Sequence, residues 1–205
     1  MRRRVTGGLL PGAAALLLLV ACIPPRPSPS PPSAPPVTPS PVPTAATASP
    51  ASGVVVDPAL LDVLPDEVAG IPMTPDLETA AQIADEGSIE PFVSAIALAT
   101  VFGPPASDGV TDYVVVTVAR IRPGIFSDVF FRGWRDTFDA GVCEQAGGVE
   151  RNAEADIGGR QTFIGTCAGG VHTYHVHLPA RGLIVSMQGL GGGGWPERIV
   201  AGLTE

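Results

Sequence analysis

Residues 23–53 cannot build a packed core, because twelve of these 31 residues are Pro, six are Ser and three are Thr. Such a segment offers too little apolar surface to offset the conformational entropy that ordering would remove. Pro-rich chains favour extended polyproline II at ~3.1 Å per residue, so the fully extended segment reaches about 95 Å. We therefore predict a disordered tether, which with Cys22 covers residues 22–53, followed by one globular domain over residues 54–205.

The N-terminus carries the pattern of an export signal. Three Arg follow Met1, and a mainly apolar run of twelve residues, 9–20, comes next. A helix needs roughly 20 apolar residues to cross the hydrocarbon core of a bilayer, so this run is too short for a retained span. A basic segment before such a run is typical of a cleaved signal peptide, which we predict over residues 1–21.

The tetrapeptide Leu19-Val20-Ala21-Cys22 ends this segment and resembles the lipobox of bacterial lipoprotein precursors. The resemblance implies that diacylglycerol is attached to the Cys22 thiol and that the chain is cut before this residue. Two acyl chains give a stable hold on a membrane where one does not. The resemblance therefore implies anchoring at the extracytoplasmic face of the cell membrane. The alternative is an ordinary secretory signal with an incidental Cys.

The domain that follows the tether is strongly acidic. It contains all 20 Asp and Glu residues of the chain but only eight of the 12 Arg, and there is no Lys, so residues 54–205 carry a formal charge of −12. Nucleic-acid binding requires clustered Lys and Arg that neutralise phosphates, and this composition argues against such a partner. A domain of 152 residues is long enough to bury about 68–70% of the surface of its unfolded chain.

Apolar patterning and turn residues predict an α+β fold. The strand at 113–121 is apolar on both faces, as in the centre of a sheet. Short connections between the later strands favour an antiparallel meander in a mostly antiparallel sheet of about four or more strands, with helices packed on it. The predicted helices are 58–64, 74–84 with Thr74 as N-cap, 91–102, 125–140 and 196–203, and the predicted strands are 113–121, 160–167, 171–178 and 183–188, with a loop over 151–160.

The order of these elements over residues 58–203 is loosely similar to that of Mog1/PsbP-like domains found in some bacterial lipoproteins. The likeness lies in the element order and the lipoprotein context, and it involves no residue motif. It implies an assembly helper or a binding module rather than an enzyme. We transfer no functional residue from that group.

Two cysteines remain once lipidation has consumed Cys22. Export places Cys143 and Cys167 in an oxidising compartment, so we predict a disulfide between them. It would tie the end of the 125–140 helix to the strand beyond the 151–160 loop. The alternative is a catalytic thiol or a redox pair, although the spacing is not C-x-x-C.

All three histidines lie within residues 171–178. On a strand, His175 and His177 share one face with Thr173, while His172 shares the other face with the apolar residues. Two imidazoles at positions i and i+2 chelate Zn or Cu if a third ligand arrives from a neighbouring strand. The alternative is a polar, solvent-facing side of the strand that happens to use His.

The 125–140 helix concentrates five of the chain's aromatic residues. Phe126, Phe130, Trp134 and Phe138 recur every four residues, which predicts a stripe that packs into the core. Phe131 lies off this stripe and is a candidate to line a ligand cleft or a partner surface.

The glycine run over residues 189–194 formally matches G-x-G-x-x-G. Dinucleotide binding needs a following strand and an acidic residue about 20 positions on, but only 11 residues follow Gly194. We interpret the run as a flexible loop before the last helix. Glycines also let a ligand approach the backbone closely, and that alternative stays open.

No nucleophile elbow, Walker loop, H-E-x-x-H helix or calcium loop is present, and each of these has a defined sequence pattern. The sequence predicts a membrane-anchored extracytoplasmic lipoprotein with a non-enzymatic binding domain, whose partner is an envelope protein or a small ligand. It predicts no cofactor besides the lipid on Cys22. The alternative is an envelope metal-binding protein that holds Zn or Cu through His175 and His177, and an envelope hydrolase is a third hypothesis.

Overall fold

Helices and strands are mixed along the chain in an α+β arrangement. A computed structural model describes residues 53–104 and 111–205. The helices are α1 (Leu77–Asp85), α2 (Asp128–Glu144) and α3 (Trp195–Gly202), with 3-10 turns at Pro58–Val63 and Pro179–Arg181. The strands are β1 (Val55–Val56), β2 (Glu67–Val68), β3 (Ile71–Pro72), β4 (Thr74–Pro75), β5 (Val93–Phe102), β6 (Tyr113–Ile121), β7 (Val149–Ile157), β8 (Arg160–Cys167), β9 (His172–Leu178) and β10 (Leu183–Leu190).

One sheet of eight strands organises the fold. Its order is β1-β5-β6-β10-β9-β8-β7, with β4 also paired with β5, while β2 and β3 form a separate hairpin. The β1–β5 pair is parallel, and the other pairs of this sheet are antiparallel. The predicted α+β class with a mostly antiparallel sheet is therefore confirmed. The meander predicted for the last three strands is β8-β9-β10, as expected from their short connections.

Both faces of the sheet are covered. The 3-10 turn at Pro58–Val63, β2 and α3 pack against one face, in a cluster that includes Tyr174, Val176 and Met187. Helices α1 and α2 cover the other face. Burial on both sides explains why β5, β6 and β10 are apolar at nearly every position instead of alternating.

The helix predicted over 91–102 is wrong, because this segment is the central strand β5. Its Ala residues at positions 95, 97 and 99 favour a helix by propensity, but all three are buried. A short apolar run has no periodicity that separates a buried helix from a buried strand. Pairing with β6 on one side and with β1 and β4 on the other decides the outcome.

The loop predicted over 151–160 is also wrong, because most of it belongs to strand β7. This strand pairs with β8 through the turn at Gly158 and Gly159, both of which have positive φ. It lies at the edge of the sheet, and residues 149–154 are exposed on both faces. Its apolar alternation is weak, because two of the four alternating apolar residues are Ala, which is depleted in strands.

Two helix starts differ from the prediction. The side chain of Asp76, not Thr74, caps α1 by accepting a hydrogen bond from the Thr79 amide, and Thr74 belongs to β4. Ser127 caps α2 in the same way through the Phe130 amide. Asp and Ser are among the preferred N-cap residues.

The predicted signal peptide, Cys22 and nearly all of the predicted tether lie outside the described residues. Within residues 53–104 and 111–205, no helix combines the length and the apolar character needed to cross a membrane. The membrane anchor therefore stays a prediction from residues 19–22.

Candidate functional site

Helix α2 lies across β8 and β9 and covers a row of side chains defined by the strand register. Ser186 on β10 pairs with His175 on β9, and His175 pairs with Phe163 on β8. Directly opposite residues of neighbouring strands point to the same face of a sheet. The three side chains therefore lie side by side beneath the helix.

A buried hydrogen-bond network joins α2 to this row. His175 Nε2 lies 2.8 Å from Asp139 Oδ1, and His175 Nδ1 lies 3.0 Å from Ser186 Oγ. The Thr173 hydroxyl donates to the same Asp139 oxygen, and the Trp134 indole N–H donates to Ser186 Oγ over 3.0 Å. Buried polar groups are costly unless they are paired in this way.

The donors of the network define a proton arrangement. Because Trp134 donates to Ser186 Oγ, the Ser186 hydroxyl is free to donate to His175 Nδ1. Neutral His175 then carries its proton on Nε2 and donates it to Asp139. In this tautomer every donor has an acceptor.

Asp139 is held as a carboxylate within the core. Burial alone would raise its pKa, but hydrogen bonds from His175 and Thr173, with the charge of Arg135, bring the pKa below the ordinary value of 3.8. Hydrogen bonds to the charged form favour that form. The network therefore keeps a negative charge beneath α2 at neutral pH.

Asp139, His175 and Ser186 are the residue types of a hydrolase triad, but their arrangement does not present a nucleophile. Ser186 is 0% exposed, so no substrate reaches its hydroxyl, and only 1% of the His175 side chain is exposed where it borders a cavity. Both imidazole nitrogens already have partners inside the core, whereas a catalytic serine must reach its substrate. The geometry supports a structural role for the three residues.

An open cleft lies between α2 and the β7–β8 hairpin, directly beside the network. It consists of two adjoining cavities of about 370 and 510 Å³, which share Arg132, Arg135, Glu154 and Phe163. Asp139 and His175 contribute to the wall of the first cavity. Volumes of this order suit a small ligand.

The Arg135 side chain is held against two aromatic rings of the cleft. Its guanidinium carbon lies 3.7 Å from the centre of the Phe163 ring and 5.3 Å from that of Phe131. The Nε atom is sealed from solvent and has no hydrogen-bond partner. Stacking on an aromatic face orients a guanidinium, so its remaining N–H groups are positioned in advance for an acceptor.

No family model, curated protein or solved structure matches the chain. The likeness to Mog1/PsbP-like domains and the lipoprotein resemblance both stay predictions.

The predicted disulfide between Cys143 and Cys167 is confirmed. The two Cα atoms are 5.1 Å apart, and both side chains are buried. The bond links the last turn of α2 to the end of β8. It thus fixes the helix over the strand that forms the floor of the cleft.

The solvent-facing side predicted for β9 is wrong, because α2 covers it. Thr173 and His175 are fully buried there, and the His177 ring stacks on Phe126 with centroids 3.5 Å apart. Burial lowers the pKa of His177 below 6.5. His172, on the opposite face near the strand end, pairs with Thr166.

The geometry does not bring His175 and His177 together as metal ligands. Both nitrogens of His175 have hydrogen-bond partners within the core. Among the described residues, no three His, Cys, Asp or Glu side chains are grouped so that they could hold a metal ion. A stable Zn or Cu site needs at least three such protein ligands.

The burial of the aromatic side chains of α2 differs from the prediction. Phe131, predicted to lie off the core stripe, is the most buried at 7% exposure, and it also lines the cleft. Phe130, Trp134 and Phe138 are only half-buried. The helix is therefore rotated so that Phe131 and Asp139 face the sheet, and the cleft role predicted for Phe131 is consistent with its position.

Proposed function

We propose that this chain is a lipid-anchored protein of the extracytoplasmic membrane face and that its domain binds a ligand in the α2 cleft without converting it. The observation that carries the binding role is an open cleft whose wall includes Asp139 and His175, while the candidate nucleophile beside them, Ser186, is 0% exposed. The anchor is supported by residues 19–22. The buried disulfide supports an oxidising compartment.

The guanidinium groups of the cleft favour a ligand with an anionic group. Three of the eight Arg in the domain, Arg132, Arg135 and Arg160, line it. Five acidic residues share this lining, namely Asp128, Asp136, Asp139, Glu154 and Glu205, so the anionic group must lie against the guanidinium groups and away from these carboxylates. Arg160 is already bonded to backbone carbonyls at the end of α3, which leaves Arg132 and Arg135 for the ligand. Arginine donates in a fork that suits carboxylates and phosphates. The neighbouring Phe163 ring favours an aromatic or apolar portion beside the anion.

Replacing Arg135 with Gln is expected to weaken binding of phenyl phosphate, used as a probe, by at least about tenfold, because a charge-assisted hydrogen bond contributes ~1.5–3 kcal/mol. Saturation-transfer NMR on the mature protein measures this affinity. Arg181→Gln is the matched control, because Arg181 lies in the 3-10 turn and is exposed. Equal affinity of the Arg135→Gln variant and the wild type would contradict the cleft assignment.

Replacing Cys22 with Ser is expected to move the protein from the membrane fraction to the soluble extracytoplasmic fraction, because the acyl chains that supply the stable hold are lost. Cell fractionation with immunodetection measures the shift, and Ser28→Ala is the control within the same segment. Intact mass spectrometry of the wild type is expected to show cleavage before Cys22 and a diacylglyceryl group. A free Cys22 thiol in the membrane-bound protein would refute the anchor without affecting the cleft.

A further inference from the structure

A titratable ring lines the larger of the two cavities of the α2 cleft. His177 contributes to this lining together with Arg132 and Arg135, and it is half-buried. The other two histidines are placed differently, because His172 lies on the opposite face of β9 and pairs with Thr166, while His175 is 1% exposed. A ligand in this cavity therefore lies beside the His177 imidazole.

Aromatic contacts hold the His177 ring in place and leave its nitrogen atoms accessible. The ring stacks on Phe126 with the two centroids 3.5 Å apart and 11° between the ring planes, and the centre of the Phe131 ring lies 6.1 Å away. Within the part of the chain that the structure describes, the rings of His172 and His175 form hydrogen bonds and that of His177 forms none. The His177 nitrogens are not among the buried polar atoms that lack a partner, so a ligand can reach them.

The charge of His177 changes in a pH range in which the guanidinium groups of the cleft stay charged. An imidazole titrates between about pH 5 and about pH 8, whereas Arg stays protonated throughout. Burial lowers the pKa of His177 below 6.5, so the ring is neutral at neutral pH and becomes a cation in acid. His175 faces the same side of β9, but both of its nitrogens are bonded within the buried network. The other charged groups that line this cavity are Asp128, Arg132, Arg135, Glu154, Arg160 and Glu205.

We infer that His177 is a further anion-binding residue of the α2 cleft, and that the cleft binds an aromatic anion more tightly in acid than at neutral pH. The inference rests on the proposed function, because it concerns the same cleft and the same class of ligand. Protonated His177 adds a charge-assisted hydrogen bond to those donated by Arg132 and Arg135, and the stack on Phe126 fixes the ring for that contact. An anion favours the charged form of a neighbouring imidazole, so the pKa of His177 is higher in the complex than in the free protein.

Affinity for benzenesulfonate at two pH values tests this inference, because a sulfonate keeps its negative charge over the range in which His titrates. For the mature lipidated protein, the Kd measured by NMR titration is expected to fall at least about tenfold between about pH 8 and about pH 5, in line with one added charge-assisted hydrogen bond. The His177→Gln variant is expected to lose this pH dependence. His172→Gln, on the opposite face of β9, is the matched control and is expected to keep it.

The pKa of His177 in the wild type is a second measurement that needs no substitution in the cleft. The chain has three His, so labelling with ¹⁵N-histidine resolves three rings, and bound benzenesulfonate is expected to raise the pKa of His177. Equal affinity at both pH values, or a pH dependence that persists in His177→Gln, would overturn the role of His177 and leave the cleft assignment intact. Absence of binding at both pH values would instead contradict the proposed function, and this inference with it.

Discussion

Replacing Gly165 with Ala is expected to destabilise the domain by about 3 kcal/mol, in the range of overpacking combined with the loss of a buried polar partner. The added Cβ would lie 2.7 Å from Asp139 Oδ2 and in contact with the Thr173 hydroxyl. Asp139 would have to withdraw, which would leave the His175 Nε2–H group unpaired in the core. Urea denaturation at neutral pH measures the change in the free energy of unfolding.

Gly141→Ala is the matched control for this substitution. Gly141 lies on α2, and a Cβ added there would have nothing within 4 Å, so Ala is expected to be neutral or to stabilise by up to about 1 kcal/mol. If Gly165→Ala acts by expelling Asp139, its effect is expected to be strongly non-additive with that of Asp139→Ala. Additive effects, or a Gly165→Ala protein as stable as Gly141→Ala, would contradict this mechanism.

Replacing both Cys143 and Cys167 with Ala is expected to cost ~3–3.5 kcal/mol of unfolding free energy, because the bond closes a loop of about 25 residues. The two residues are 24 positions apart in the sequence. Denaturation of the oxidised wild type and of the double variant measures the difference. The cleft is expected to loosen as well, since the bond holds the end of α2 over β8.

The reduced wild type is the control, because it lacks the disulfide but keeps both Cys side chains. It therefore separates the effect of losing the bond from the effect of replacing the side chains. Its stability is expected to lie close to that of the double variant, because both lack the cross-link while their buried side chains remain apolar in character. A double variant that loses less than about 1 kcal/mol would show that the bond does not constrain the unfolded chain as the entropy model requires.

The sequence was informative where a local pattern has a single structural solution. The apolar run 113–121 predicts the central strand β6, and short connections predict the β8-β9-β10 meander. Export and the count of two remaining cysteines predict the Cys143–Cys167 bond. The sequence does not predict strands β5 and β7, because β5 is apolar at nearly every position and the alternation in β7 depends largely on small Ala residues, so neither has the strong periodicity of a half-buried strand.

The buried network depends on contacts that no local pattern encodes. Asp139 and His175 are 36 residues apart, and their contact depends on how α2 is rotated over the sheet. The only local signals were polar residues inside apolar surroundings: Ser186 within β10 and Thr173 on β9. Nothing in the sequence around Arg135 predicts its role in the cleft, because its stacking on Phe163 depends on where β8 lies in the fold.

The exposed edge strand β7 has a consequence for proteins that share a crowded surface. Lipid anchoring would confine many copies to two dimensions, where a bare strand edge pairs readily with the edge of a neighbour. Within the described residues β7 has no partner on its outer side, yet Glu150, Arg151, Glu154 and Asp156 project from it. Charged side chains on an edge strand oppose pairing with another edge, so an anchored form of the protein would resist joining into continuous sheets.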